Sequence, residues 1–259
     1  MKKLMIASAA LCAAVCANAV ESQNVVGYAE PELGDNANLA GAPFDMVGAA
    51  GMDINQIIPK NAGIFGGAFT MKLLQSDLSD DAEYYFIPEA EAPDGGSAGW
   101  FLDDMSTRVS KTFAPGEGFI IMNNLSDSAV SFSGEVAVGK PTWEVAPNAN
   151  LAGNITPIDL DINDIVLGAS VDANGNVVDP NGEVFGGSCT LKLLQSDLSD
   201  DAEYYYIPEA EAPDGGSSGW FLDDMTTRVS RTFAPGEGFI IMCNLSSAFV
   251  QIPAALTAN

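Results

Sequence analysis

The chain has 259 residues, 35 of them aspartate or glutamate against 10 lysines and arginines, for a formal charge of −25, and it has no histidine. So acidic a chain lacks the cationic footprint that a phosphate backbone requires, which excludes nucleic acid as a partner. The missing histidine removes the commonest general base and the commonest metal imidazole. Apolar residues make up 47%, too many for a disordered acidic tail and enough to fill one or two cores.

The first segment reads as an export signal. Lys2 and Lys3 precede an apolar stretch over 4–15, and Ala17-Asn18-Ala19 is a small-residue cleavage site cut after Ala19. Removing 1–19 takes two bases and no acid, so the mature charge becomes −27, 35 acids against eight bases. No other apolar run is long enough to cross a bilayer, so a membrane span is excluded and the expected location is secreted, periplasmic or cell-surface. Cys12 and Cys16 leave with the signal, and Val15 is a poor residue to precede an acylated cysteine.

Internal self-similarity organises the rest. Residues 66–124 recur as 186–244 at an offset of 120, and only eight of the 59 positions differ: Ala68/Ser188, Phe69/Cys189, Met71/Leu191, Phe86/Tyr206, Ala98/Ser218, Ser106/Thr226, Lys111/Arg231 and Asn123/Cys243. Upstream, 36–41 matches 148–153 and 53–55 matches 161–163. The expected organisation is a signal peptide over 1–19, copy one over 20–137 and copy two over 138–259, with the boundary near 136–140. Each copy is large enough for its own core.

In chain order, the only helical signal of copy one is one or two turns over 53–58, with Asp53 as N-cap. Glu83-Tyr84-Tyr85-Phe86-Ile87 is a strand, Pro93-Asp94-Gly95-Gly96 a turn, and Trp100-Phe101-Leu102 the returning strand of a hairpin. Ala114-Pro115-Gly116-Glu117 is a further turn that leads into Phe119-Ile120-Ile121-Met122, an apolar run suited to a central strand. Over 129–133 apolar and polar residues alternate as in a half-exposed last strand. Copy two repeats these signals and adds residues around 171–183, where Asn174-Gly175 between valines marks an extra hairpin. The fold class is therefore all-β: two tandem β-sandwich-like or small-barrel domains from an internal duplication, each with one short helix.

Ser22-Gln23-Asn24-Val25-Val26-Gly27-Tyr28 follows directly on the cleavage site. Gly99-Trp100-Phe101, Pro115-Gly116-Glu117-Gly118-Phe119 and Phe132-Ser133-Gly134-Glu135-Val136 come after it in order. This pattern resembles a large group of uncharacterised secreted bacterial β-rich proteins that open with N-V-V-G-Y. The resemblance spans copy one nearly end to end and returns over 186–245. Copy two departs at both ends, with Ala137-Val138-Gly139-Lys140 for the opening and Ile252-Pro253-Ala254-Ala255 for the close. The resemblance implies export and a β-rich domain and transfers no functional residue.

Carboxylates are the most conspicuous chemistry. Asp77, Asp80, Asp81 and Glu83 recur as Asp197, Asp200, Asp201 and Glu203, and clustered loop carboxylates supply the hard oxygens that calcium takes. Calcium is thus the one cofactor to consider, weighed against a simply solvated acidic loop. Asp172, Asn174, Asn176 and Glu183 fall at EF-hand positions, but the glycine is misplaced and no helices flank the loop.

Trp100 and Tyr85, with Trp220 and Tyr205, are candidates for a sugar-stacking platform. The competing reading puts each tryptophan and one of the two adjacent tyrosines in a core, because neighbours along a strand point to opposite faces. Lys72/Lys192, Arg108/Arg228 and Lys111/Arg231 are read as structural cations that neutralise acids such as Asp103 and Asp104. Cys189 and Cys243 form an even pair in an exported chain and are expected to bond.

The functional expectation is a non-enzymatic binding or assembly protein built from a duplicated β module, with partners in self-assembly or an extracellular glycan or protein surface. The alternative is a carbohydrate-binding module using exposed aromatics. The third reading is a glycoside hydrolase with paired carboxylates.

Overall fold

Two five-stranded antiparallel sheets carry the architecture, and each follows from the apolar runs that the sequence writes twice. In the first, the strand order is Asn36–Gly41, Gly118–Asn123, Phe69–Leu74, Asp80–Ile87, Gly99–Phe101. In the second it is Asn148–Gly153, Gly238–Cys243, Cys189–Leu194, Asp200–Ile207, Gly219–Phe221. The computed structural model describes residues 26–44, 51–61, 63–114, 116–126, 128–136 and 139–254. The export segment and its cleavage site lie outside the described residues.

Smaller sheets cover one face of each large one. Ser128–Glu135 pairs with Val26–Ala29, Glu32–Leu33 and Ile58–Lys60. Ala248–Gln251 lies between Thr142–Val145 and Val166–Gly168. The chain is all-β and sandwich-like, with one apolar cluster drawn from residues 29–136 and another from 145–252. Ser170–Val171 and Val177–Val178 pair across the Asn174-Gly175 turn as a small hairpin in the second module.

The short helices are 3-10 turns. Ile54–Gln56 is capped by Asp53, whose carboxylate accepts from Asn55 N at 2.7 Å while the Gln56 side chain accepts from Asp53 N at 3.2 Å. Asp161 caps Ile162–Asp164 by accepting from Asn163 N at 2.8 Å, without the reciprocal side-chain bond, since Asp164 stands where the first module has Gln56. One short helix per copy was expected; each module has a second, Glu89–Glu91 and Glu209–Glu211. Three residues are too few for a helical period to show in a sequence.

Each core closes on an aromatic pair. Phe86 and Trp100, directly opposite on neighbouring strands, meet edge to face at 5.4 Å between ring centroids. Tyr206 and Trp220 repeat the contact at 5.3 Å, and the added hydroxyl donates to Leu167 O at 3.2 Å. A buried phenol is tolerated there because that carbonyl receives it. Cys189 and Cys243 face each other in register on adjacent strands, with Cα atoms 4.3 Å apart, and are joined by a disulfide.

The modules meet through backbone. Gly41 and Gly118 are register partners in one sheet, Gly153 and Gly238 in the other, and the four lie where the two sheets cross. A Cβ on Gly118 would sit 2.6 Å from Ala152 N, and one on Gly238 2.5 Å from Ala40 N. Only glycine allows chains to approach this closely. Hydrogen bonds cross as a matched pair, Ala37 N to Ser196 O at 3.0 Å and Ala149 N to Ser76 O at 2.9 Å. Each module's acidic hairpin tip therefore docks on the other module's first long strand, in the self-complementary manner of a twofold contact.

Candidate binding surface

Five of the eight carboxylates proposed for calcium, Asp77, Glu83, Asp197, Asp200 and Glu203, serve local structure. Asp77 Oδ1 accepts from Ser79 N at 2.9 Å and Ser79 Oγ at 2.5 Å, which closes the hairpin tip, and Asp197 does the same with Ser199. These serine bonds, the hydroxyl first, hold both aspartates below the usual carboxylate range. Glu83 pairs with Lys72 at 3.9 Å; Lys192 lies 3.8 Å from both Asp200 and Glu203. Asp80 is exposed on the first strand residue after the tip. Asp81 and Asp201 line the clefts beside the module crossing. Among the described residues no three acids or cysteines converge on a common point. Asp172, at the EF-hand position, accepts from the backbone N–H groups of Asn174 and Asn176, each at 2.8 Å, and so shapes the extra hairpin.

Trp100 and Trp220 are core residues, which corrects the sugar-platform expectation. Both are wholly buried, and each indole N–H donates to a backbone carbonyl, Ile57 O at 2.8 Å and Ile165 O at 3.0 Å. Tyr85 and Tyr205 lie on the opposite face and are half-buried. Tyr84, on the core side, is also only half-buried, and the buried aromatic of each strand is Phe86 or Tyr206.

The repeated cations have other partners than Asp103 and Asp104. Arg108 grips Asp94 through Nε at 2.7 Å and Nη2 at 3.1 Å and lies 4.7 Å over the Phe101 ring; Arg228, Asp214 and Phe221 repeat this. The Arg108 guanidinium holds Asp94 down to about 2. Lys111 binds Glu117 Oε1 at 2.6 Å while Glu117 Oε2 accepts from Ala114 N, and Arg231 and Glu237 repeat that closure.

Two clefts of 370 and 480 Å³ flank the crossing. Their cations, Arg231 and Lys111, are already engaged by these glutamates. Trp143 packs on Gly116 beside the second cleft, where a Cβ would come within 2.4 Å of the indole.

A different surface is exposed in both modules. The Leu102–Thr107 turn is held by Asp104, whose carboxylate accepts from Ser106 N and Thr107 N at 2.8 Å and Thr107 Oγ1 at 2.6 Å. The Thr107 hydroxyl and these amides bring Asp104 to about 2, and Asp224 is brought to about 2 in the same way. The turn sets Met105 at φ +50° and Met225 at φ +52°, a left-handed conformation that a methionine seldom adopts.

Met105 then reaches over Gly67. Its Cε would be 3.1 Å from a Cβ there and Tyr85 Cδ1 3.9 Å; at Gly187 the corresponding distances to Met225 and Tyr205 are 3.0 and 3.7 Å. Gly67 and Gly187, at φ +80° and +77°, leave open a space that methionine borders on one side and tyrosine on the other. Phe65 and Phe185 stand in the same turns, where Phe65 O accepts from Ala68 N and Phe185 O from Ser188 N. Both phenylalanines are 52% exposed, Met105 41% and Met225 40%.

Sequence reasoning passed over Phe65 and Met105. The available signal was a large apolar residue kept in both copies inside glycine- and aspartate-rich turns. No protein-family model, curated protein or solved structure matches the chain. Among the described residues no helix is long and apolar enough to cross a membrane.

Proposed function

We propose that this chain is a secreted or cell-surface protein that works by binding or assembly, without catalysis, and presents one and the same surface from each module. The supporting observation is the exposure of Phe65, in the turn that holds Gly67, and of Met105, which borders the space above Gly67 together with Tyr85; Phe185, Met225, Gly187 and Tyr205 repeat it. The lysine and arginine side chains nearest these turns are tied into local ion pairs, and an export-type opening precedes the first module. Holding two like surfaces on one body raises avidity when both engage, with no new contact needed. The glycan alternative loses its tryptophans to the cores.

The test is light scattering of the purified mature chain with and without calcium, together with retention of medium and envelope components on the immobilised protein. A defined oligomer supports the reading. So does a retained component released by Phe65→Ser with Phe185→Ser. A strict monomer that retains nothing overturns it.

A further inference from the structure

We infer that the exposed patch built by Phe65, Tyr85 and Met105, and its twin built by Phe185, Tyr205 and Met225, each receive a basic amphipathic segment of a partner protein, an apolar side chain flanked by lysine or arginine. The inference rests on the binding reading above and names the partner's chemistry.

The centre of the patch is apolar and adaptable. Methionine is unbranched and polarizable, and it re-packs against whatever apolar side chain arrives. The phenylalanine and tyrosine add rigid area. Exposed apolar area that is contiguous and rimmed by polar residues marks an interaction site, whereas single exposed apolar residues do not.

The rim is acidic. Glu83 shares the outer face with Tyr85 but is offset there by Lys72, 3.9 Å away, so the uncompensated acid is Asp103, inside the Leu102–Thr107 turn. Glu91 adds a carboxylate beside Phe65, where it accepts from Gly66 N at 2.9 Å. Partial burial, followed by the charge of Glu83, pushes the Tyr85 hydroxyl up, and Asp103 acts on it in the same direction. Among the described residues Asp103 and Asp223 have no cation within ion-pair distance. The nearest arginine, Arg108, is occupied by Asp94 and lies on Phe101. An acidic rim around an aromatic and methionine centre, in a chain with 35 acids against 10 bases, complements a cationic segment. Tyrosine also offers its face to an arriving ammonium or guanidinium.

The test uses the full mature chain and three short fluorescent peptides of equal length, alternating lysine–leucine, lysine–serine and serine–leucine, followed by anisotropy and calorimetry. Lysine–leucine is expected to bind at two sites per chain, weaken as salt rises, and exceed both other peptides by about tenfold or more. Phe65→Ser with Met105→Asn is expected to leave one site, and adding Phe185→Ser with Met225→Asn to leave none. These side chains are exposed, and asparagine suits the left-handed turn position, so folding is retained. Asp103→Asn with Asp223→Asn should weaken binding with the apolar centre intact. Equal binding of lysine–serine, or wild-type binding by the patch variants, overturns the inference. Silence of all three peptides also overturns it, while an oligomer or a retained envelope component in the earlier experiment would leave the binding reading standing.

Discussion

Gly41 and Gly153 face each other so closely that a Cβ on either would lie 2.6 Å from the Cα of the other. The contact brings the two backbones together with no side chain between them. Its neighbours Gly118 and Gly238 are equally constrained, and the clasping bonds from Ala37 and Ala149 bring each acidic hairpin onto the other module.

Valine at Gly41 or Gly153 must therefore push the modules apart. Overpacking of this kind costs about 1–3 kcal/mol. The expected result is a lower thermal midpoint and a larger radius of gyration by small-angle scattering, with each module's strands retained. Gly34→Ala is the control: its Cβ would meet only Asn38 Oδ1, at 3.5 Å. A valine variant as compact and stable as wild type would mean that the crossing does not hold the pair.

Trp100 fills the first core while its indole N–H satisfies Ile57 O, so truncation removes both packing and a hydrogen bond. Trp100→Ala is expected to cost about 3–5 kcal/mol in urea unfolding. Trp100→Phe keeps most of the volume and should cost clearly less. Binding to soluble glycans should not change in Trp100→Phe, and a selective loss there would return the tryptophan to a ligand role.

Much of the architecture was legible in the sequence. The run from Glu83 to Ile87, the Asp94-Gly95-Gly96 turn and the Trp100 strand announced a hairpin, because alternation and turn chemistry are local. What was illegible depends on distance. Arg108 finds Asp94, 14 residues away, since Asp104 is already spent on the amides of its own turn. Gly41 and Gly118 carry no signal of their own in the sequence, and only the approach of the second module gives them a reason. The exposure of Met105 depends on a left-handed turn residue, and no period in the sequence encodes that. Trp100 and Tyr85 looked alike as aromatic candidates, but their places on opposite faces sent one to the core and the other to the patch.

The turn that displays Met105 makes its own prediction in acid. Asp104 and Asp224 sit at about 2, below their ordinary 3.8, because the folded turn donates to the ionised carboxylate. A depressed folded value means that acidification loads protons on the unfolded chain first. Their contribution is complete above about pH 4 and is lost as pH falls toward about 2. Comparing wild type with Asp104→Asn plus Asp224→Asn by urea unfolding should therefore show a gap that is constant near neutrality and closes below about pH 4. A gap unchanged at about pH 2 would mean that ionisation contributes nothing to the turn.

The Cys189–Cys243 bridge occupies the pair of positions that the first module fills with Phe69 and Asn123, and it ties residues 54 apart in sequence. Closing a loop of that length restricts the unfolded chain by about 4 kcal/mol in the chain-entropy account. Both sulfurs are buried, so the native protein should resist alkylation and gain two labels only after reduction in denaturant, as read by intact mass. Cys189→Ala with Cys243→Ala removes the bridge and leaves a void, and should lower the thermal midpoint the most. Cys189→Phe with Cys243→Asn restores volume in the manner of the first module. There Asn123 binds Gly34 O at 3.1 Å, Leu125 N at 2.9 Å and Ser128 Oγ at 3.2 Å. The serine partner is missing from the second module, where Ala248 holds the corresponding strand position. This variant should therefore fall between the alanine pair and wild type. If it instead matches wild type, packing and not the covalent tie accounts for the stability of the second module.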